Sequence, residues 1–212
     1  MRLTKKGHAC VRLEQDGTTL VFDPGAYSDP DALAGADAVL ITHEHQDHFV
    51  EDRIRAAVES QPRLRVFANR AVAAKLDGLG ERLRIVGEGD TFSVNGIDIA
   101  VYGELHAVIH PDIPRITNVG YLVNGELFHP GDALTVPDRP IATLLLPAHA
   151  PWSKTAELIE YVREVSPQQA IPVHDAGLSD TGRSTVQMLM GGGGPTTGVT
   201  YRPVADGETA EV

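Results

Sequence analysis

The sequence predicts an α/β protein, a four-layer αββα sandwich in which two mixed β-sheets pack face to face with helices outside. Three observations lead there. Three paired strand runs each flank a dipeptide suited to a tight hairpin turn. Five isolated apolar runs of strand length stand between those hairpins. Helical stretches with plausible caps or stops alternate with the isolated runs, so hairpins and strand–helix units share one chain.

Taken in order, residues 9–15 and 18–23 flank Asp16-Gly17 as the first hairpin, and 38–41 form a buried strand. A helix over 50–59 ends before Pro62 and is followed by a strand at 64–68. A helix over 69–76 begins with Asn69 as its cap, and a strand follows at 83–86. The second and third hairpins pair 91–94 with 97–102 around Asn95-Gly96, and 119–123 with 126–129 around Asn124-Gly125. A strand at 142–146 precedes a helix over 154–165, capped by Ser153, with Leu158, Ile159, Val162 and Val165 on one face and Pro167 beyond its end. A strand at 170–173 and a helix over 180–190 follow, the latter stopped by the glycine run at 191–194. Residues 199–203 read as a last strand, and 205–212 as a frayed acidic tail. No fixed repeat and no linker rich in Pro, Gly or Ser interrupts the chain, so 1–212 is expected to be a single domain.

Composition narrows the function classes. No apolar run approaches the roughly 20 residues that span a bilayer, and no apolar stretch follows Lys5-Lys6, so neither a membrane partner nor a secretory signal is expected. A cytoplasmic location is the default that follows. Cys10 is the only cysteine, which excludes an intrachain disulfide and a cysteine-based metal site. The formal charge of −11 repels a polyphosphate backbone on average and points to a small-molecule substrate over nucleic acid. It leaves the oligomeric state open. Nine histidines are many for this length, and their positions carry the chemistry.

The strand at 38–41 runs into Thr42-His43-Glu44-His45-Gln46-Asp47-His48. Side chains two apart in extended backbone share a face, so His43 and His45 can converge on one cation. Asp47 and His48 reach a neighbouring position as the chain turns toward its next helix. Imidazole nitrogen and carboxylate oxygen suit Zn²⁺, with Mn²⁺ or Fe²⁺ as alternatives.

This motif resembles the signature of the metallo-β-lactamase superfamily, and further stretches resemble that family's later elements in order. They are Glu104-Leu105-His106, Leu127-Phe128-His129-Pro130-Gly131-Asp132 and Ile171-Pro172-Val173-His174. Gly7-His8-Ala9 and Phe22-Asp23-Pro24-Gly25 are similar to small members, including the ascorbate-6-phosphate lactonase branch. The resemblance implies the fold already predicted and two divalent ions. His43, His45 and His106 would hold one ion, Asp47, His48 and His174 the other, and Asp132 would bridge them. His110 is the alternative to His106. Taken alone, Asp132 reads as an ordinary Gly-Asp turn and His174 as a core histidine. His8, Asp23, His129 and His149 are candidates for contacts to ligands or substrate, His149 lying close to Trp152. Segment 109–114, with Pro111 and Pro114, is a candidate rigid rim.

The implied activity is metal-dependent hydrolysis, with a hydroxide activated by two ions attacking a small ester, lactone or phosphoester. Asp47 would pass the proton to the leaving group, with His8 or His149 as further donors. A phosphodiesterase or nuclease using the same site is one rival. A non-catalytic metal-binding module is another, although its mark would be lost ligands and none is lost. Oxygen-reducing members of the family carry Glu where this chain has His45, which disfavours redox use.

Overall fold

The computed structural model describes residues 1–196 and 198–212. The first half of the chain runs β1 (Arg2–Lys5), β2 (Val11–Gln15), β3 (Thr18–Phe22), β4 (Ala38–Ile41), α1 (Glu51–Ser60), β5 (Arg65–Ala68), α2 (Arg70–Lys75) and β6 (Leu83–Ile85). The second runs β7 (Thr91–Val94), β8 (Ile97–Tyr102), β9 (Gly120–Val123), β10 (Leu127–His129), β11 (Thr143–Pro147), α3 (Thr155–Val165), β12 (Gln169–Val173), α4 (Asp180–Met190), β13 (Thr200–Tyr201) and β14 (Thr209–Glu211).

Two seven-stranded sheets result, ordered β14-β1-β2-β3-β4-β5-β6 and β13-β12-β11-β10-β9-β8-β7. In each, hairpins supply antiparallel pairs, while helical crossovers and the irregular connections at 23–37 and 130–142 supply parallel ones, so both sheets are mixed. The four layers follow from side-chain alternation. Ala38 and Leu40 on β4 enter the core between the sheets, where Leu145, Ile171 and Val173 meet them from the second sheet. Val39 and Ile41, one residue out of phase, pack on Ile54 and Val58 of α1 and Val72 of α2. On the second sheet Leu144 and Leu146 turn outward onto Leu158 and Val162 of α3. Both faces of β4 and β11 are therefore buried, which is why these strands read as unbroken apolar runs. Among the described residues no helix is long and apolar enough to cross a membrane.

Two expectations are corrected. Residues 205–212 are not a frayed tail, because β14 pairs antiparallel with β1 and buries Ala210 between two exposed neighbours. Neither short, charge-bearing strand has a strong pattern of its own; β1 is held by β2 as well, and β14 is specified by its pairing with β1. Ser153 does not cap α3: Lys154 holds that place without a side-chain bond, and the Ser153 hydroxyl bonds Ala150 instead. Asn69 does cap α2, accepting from the Val72 N–H, while its amide donates to the Thr42 carbonyl at 2.9 Å. That bond fixes the helix start to the point where β4 ends and the histidine motif begins.

Candidate metal centre

Chemistry-bearing side chains gather where β3, β4, β10 and β12 end and where the turn before β2 meets them. Asp23 follows β3 in left-handed backbone (φ 44°) and is fully buried. Its carboxylate accepts from the Thr42 N–H at 2.8 Å, the Thr42 hydroxyl at 2.7 Å and His48 Nδ1 at 2.8 Å, bracketing the motif from both ends. Bonds from the His48 and Phe49 N–H groups to the His45 carbonyl curl the chain so that Asp47 and His48 return toward His43. Gly25 closes against this curl. A Cβ there would overlap the Asp47 carbonyl, so no side chain is tolerated.

Two groups of ligand-type atoms form, each within 4.8 Å: His43, His45, His106 and Asp132, and beside them His8, Asp47, His48 and His174. All seven residues that the sequence nominated as ligands are brought together. Asp132 stands between the groups, with Oδ1 3.2 Å from His48 Nε2 and Oδ2 3.4 Å from His106 Nε2 and 3.2 Å from His174 Nε2.

On four of the imidazoles the ring nitrogen facing away from this space is engaged. His48 Nδ1 donates to Asp23, His106 Nδ1 to the Ala107 carbonyl and His174 Nδ1 to the His149 carbonyl, the last two at 2.6 Å. The Thr42 hydroxyl, its proton committed to Asp23, accepts from His43 Nδ1 at 2.9 Å. The Nε2 atoms of His48, His106 and His174 are thereby left to a proton or a cation, while His43 Nε2 lies 3.1 Å from His45 Nδ1. Buried His48 Nε2, His106 Nε2, His174 Nε2 and Asp132 Oδ1 have no hydrogen-bond partner. Close yet misaligned with one another, they face a shared centre. Buried polar atoms without partners are costly, and a nitrogen and oxygen donor set is what a borderline divalent cation takes. The residues fit such ions.

Charge tells the same story. Burial pushes His43 and His45 down. Burial also works against ionisation of His48 and His174, but Asp132 with Asp23 leaves His48 raised well above its usual range, and Asp132 with Asp47 pushes His174 up to about 9. Asp132 and Asp47, whose burial favours the neutral form, are held far below the ordinary carboxylate range, Asp132 chiefly by His48 and Asp47 by the neighbouring His174 and His8. Without cations, protons on imidazoles supply the positive charge this site demands.

Other nominated residues separate clearly. His110 is exposed beside Asp112 and stands outside both groups. His129 is buried: Nδ1 accepts from the Gly131 N–H and Nε2 donates to the Ala9 carbonyl, fixing the turn that presents Asp132. His149 contributes through its carbonyl, while its imidazole is exposed. His8 reaches Asp47 Oδ2 at 3.1 Å. Two supports of Asp132 escaped the sequence reading. Asn118 accepts the Asp132 N–H at 2.9 Å, and the Trp152 indole N–H donates to Asp132 Oδ2 at 2.9 Å. No motif flagged either, since lone Asn and Trp residues acquire such roles only through contact. Segment 109–114 stands at the rim with Val108, Ile109 and Ile113 exposed, over a small cavity of about 30 Å³ shared with His45 and His106.

Known proteins resemble this chain over most of its length. The family model described as a beta-lactamase superfamily domain matches residues 2–174. Protein Rv0786c of Mycobacterium tuberculosis is 41% identical over 182 residues, covering 83% of this chain and 84% of that protein. A UPF0173 metal-dependent hydrolase of Methanopyrus kandleri is 30% identical over 194 residues, covering 82% of this chain and 84% of its own length. Among solved structures, Igni18, a metallo hydrolase from Ignicoccus hospitalis, superposes with a TM-score of 0.75 at 20% identity over 100% of this chain and 98% of that one. That likeness is one of fold.

Proposed function

The chain belongs to the metallo-β-lactamase superfamily, and from that premise we propose that it is a metal-dependent hydrolase acting on a small ester, lactone or phosphoester through two divalent ions. His43, His45 and His106 would hold the first ion, Asp47, His48 and His174 the second, and Asp132 both. The observation that carries this reading is the set of four buried, unpartnered donor atoms on His48, His106, His174 and Asp132 facing one space.

When bound, such ions supply Lewis acidity and bring the pKa of a water toward about 7, with Zn²⁺ the first candidate and Mn²⁺ or Fe²⁺ alternatives. The remaining work falls to the chain. Asp23, Thr42 and the carbonyls of Ala107 and His149 keep four imidazoles oriented before any ion arrives. Trp152 and Asn118 fix the Asp132 carboxylate and its backbone. Asp47 is the carboxylate with an accessible edge, its side chain 27% exposed. It is assigned proton transfer to the leaving group. The charge of −11 argues against a polynucleotide substrate.

The test is a chelator-treated sample, checked as metal-free by elemental analysis, assayed on esters, lactones and phosphodiesters before and after reloading with Zn²⁺, Mn²⁺ or Fe²⁺. Hydrolysis is expected only after reloading. Full activity in the metal-free sample overturns the reading.

A further inference from the structure

His8 lies within 4.8 Å of Asp47, His48 and His174, and by composition alone it would count as a fourth ligand of that group. Its hydrogen bonds say otherwise. The Ala176 N–H donates to His8 Nδ1 at 3.3 Å. An imidazole nitrogen that accepts cannot carry the proton, so in the neutral ring the hydrogen sits on Nε2. Nε2 lies 3.1 Å from Asp47 Oδ2 and donates to it. A nitrogen bearing hydrogen has no lone pair for a cation.

The backbone of His8 is committed as well. The His174 N–H donates to the His8 carbonyl at 3.0 Å, so residue 8 grips the turn at 174–176 through both its carbonyl and its ring. The ring is buried, with its centroid 4.0 Å from that of His174 and its edge against Tyr27. This posture requires left-handed backbone at both Gly7 (φ 97°) and His8 (φ 53°). A Cβ on Gly7 would lie 2.6 Å from the Tyr27 carbonyl, so the turn that presents His8 needs glycine there.

We propose that His8 is a positioning residue for the second ion and not one of its ligands: its ring donates to Asp47 while its carbonyl and Nδ1 anchor the segment carrying His174. This role rests on the two-ion reading above. One residue near the start of the chain thereby sets two of the three side chains assigned to that ion alone, while His43, His45 and His106 make no hydrogen bond to it.

The experiment pairs ¹⁵N NMR of the wild-type histidines with zinc titration of variants followed by calorimetry. In metal-free protein His8 is expected as the Nε2–H tautomer, and zinc should leave its Nε2 without the shift of a ligated nitrogen. His8→Phe keeps the ring volume and drops both side-chain hydrogen bonds. It should weaken the second zinc by about 10–100-fold, the usual effect of losing such a support, and leave the first unchanged. His8→Gln, whose amide can still donate to Asp47, should recover part of the loss. An Nδ1–H tautomer, a ligated shift at His8 Nε2, or His8→Phe weakening both zincs equally or neither overturns the proposal. If His8→Phe fails to fold, the wild-type spectra still decide. Wild-type protein that takes up none of Zn²⁺, Mn²⁺ and Fe²⁺ sinks the two-ion reading and this role with it, whereas the wrong tautomer sinks this role alone.

Discussion

The two sides of the centre are built from different materials. On the first, His43, His45 and His106 meet as three imidazoles whose backbones stay out of the left-handed region, with His43 held by a hydroxyl and His106 by a backbone carbonyl. On the second, Asp47, His48 and His174 are charged and depend on residues held in left-handed backbone. His8, Asp23 and His174 all have φ between 44° and 58°, whereas the other non-glycine residues of this kind are ordinary turn positions such as Asp16, Asn95 and Asn124. Such conformations cost on the order of 1–3 kcal/mol each and persist only where surroundings impose them. Strain and charge are thus concentrated on one side, which leans on distant parts of the chain and gains most from a bound cation.

That contrast can be broken in several places. Asp132 belongs to both sides, so Asp132→Ala should remove both ions and abolish hydrolysis, with metal content read by elemental analysis. Retention of two ions would show that the sides are independent of it. Gly25→Ala strikes the second side alone, since its Cβ overlaps the Asp47 carbonyl. Overpacking of this kind costs about 1–3 kcal/mol, and we expect a lowered Tm together with loss of the second ion before the first.

Zinc uptake sharpens the comparison through pH. His174 is pushed up to about 9, so below that pH it carries a proton that zinc must displace. Affinity on the second side should therefore rise with pH up to about 9. His43 and His45 are pushed down and have no proton to lose near neutrality, so the first side should depend on pH less steeply there. Calorimetry in buffers of different ionisation enthalpy counts the protons released, and equal counts for the two ions would refute the distinction. Smallest of all, His110→Ala should change stability by less than about 0.5 kcal/mol and leave the ion content intact, because this exposed histidine touches neither side. A lost ion would restore it as the alternative to His106.

Much of the architecture was legible because local chemistry and tertiary role coincide. Asp16-Gly17, Asn95-Gly96 and Asn124-Gly125 mark hairpins through residues that tolerate positive φ, and the structure places left-handed backbone at all six. Apolar runs at 38–41 and 142–146 mark strands covered on both faces. The motif from His43 to His48 is compact enough to nominate its own chemistry, and the resemblance to the metallo-β-lactamase superfamily nominated His106, Asp132 and His174.

What escaped has a common physical cause. β14 becomes a strand by pairing with β1, some 200 residues away, and β1 lies between it and β2, so the short terminal segment carries no period of its own to read. Asn118 and Trp152 act on Asp132 across the fold, and His149 acts through a backbone carbonyl that any residue type possesses. For His8 the sequence offered a proton donor or a contact to the ligands or substrate. The ring's proton is located by an N–H from residue 176, and only the folded chain supplies that bond. Residue types and their order determine which atoms can bind a cation; the long-range hydrogen bonds decide which lone pairs remain free to do so.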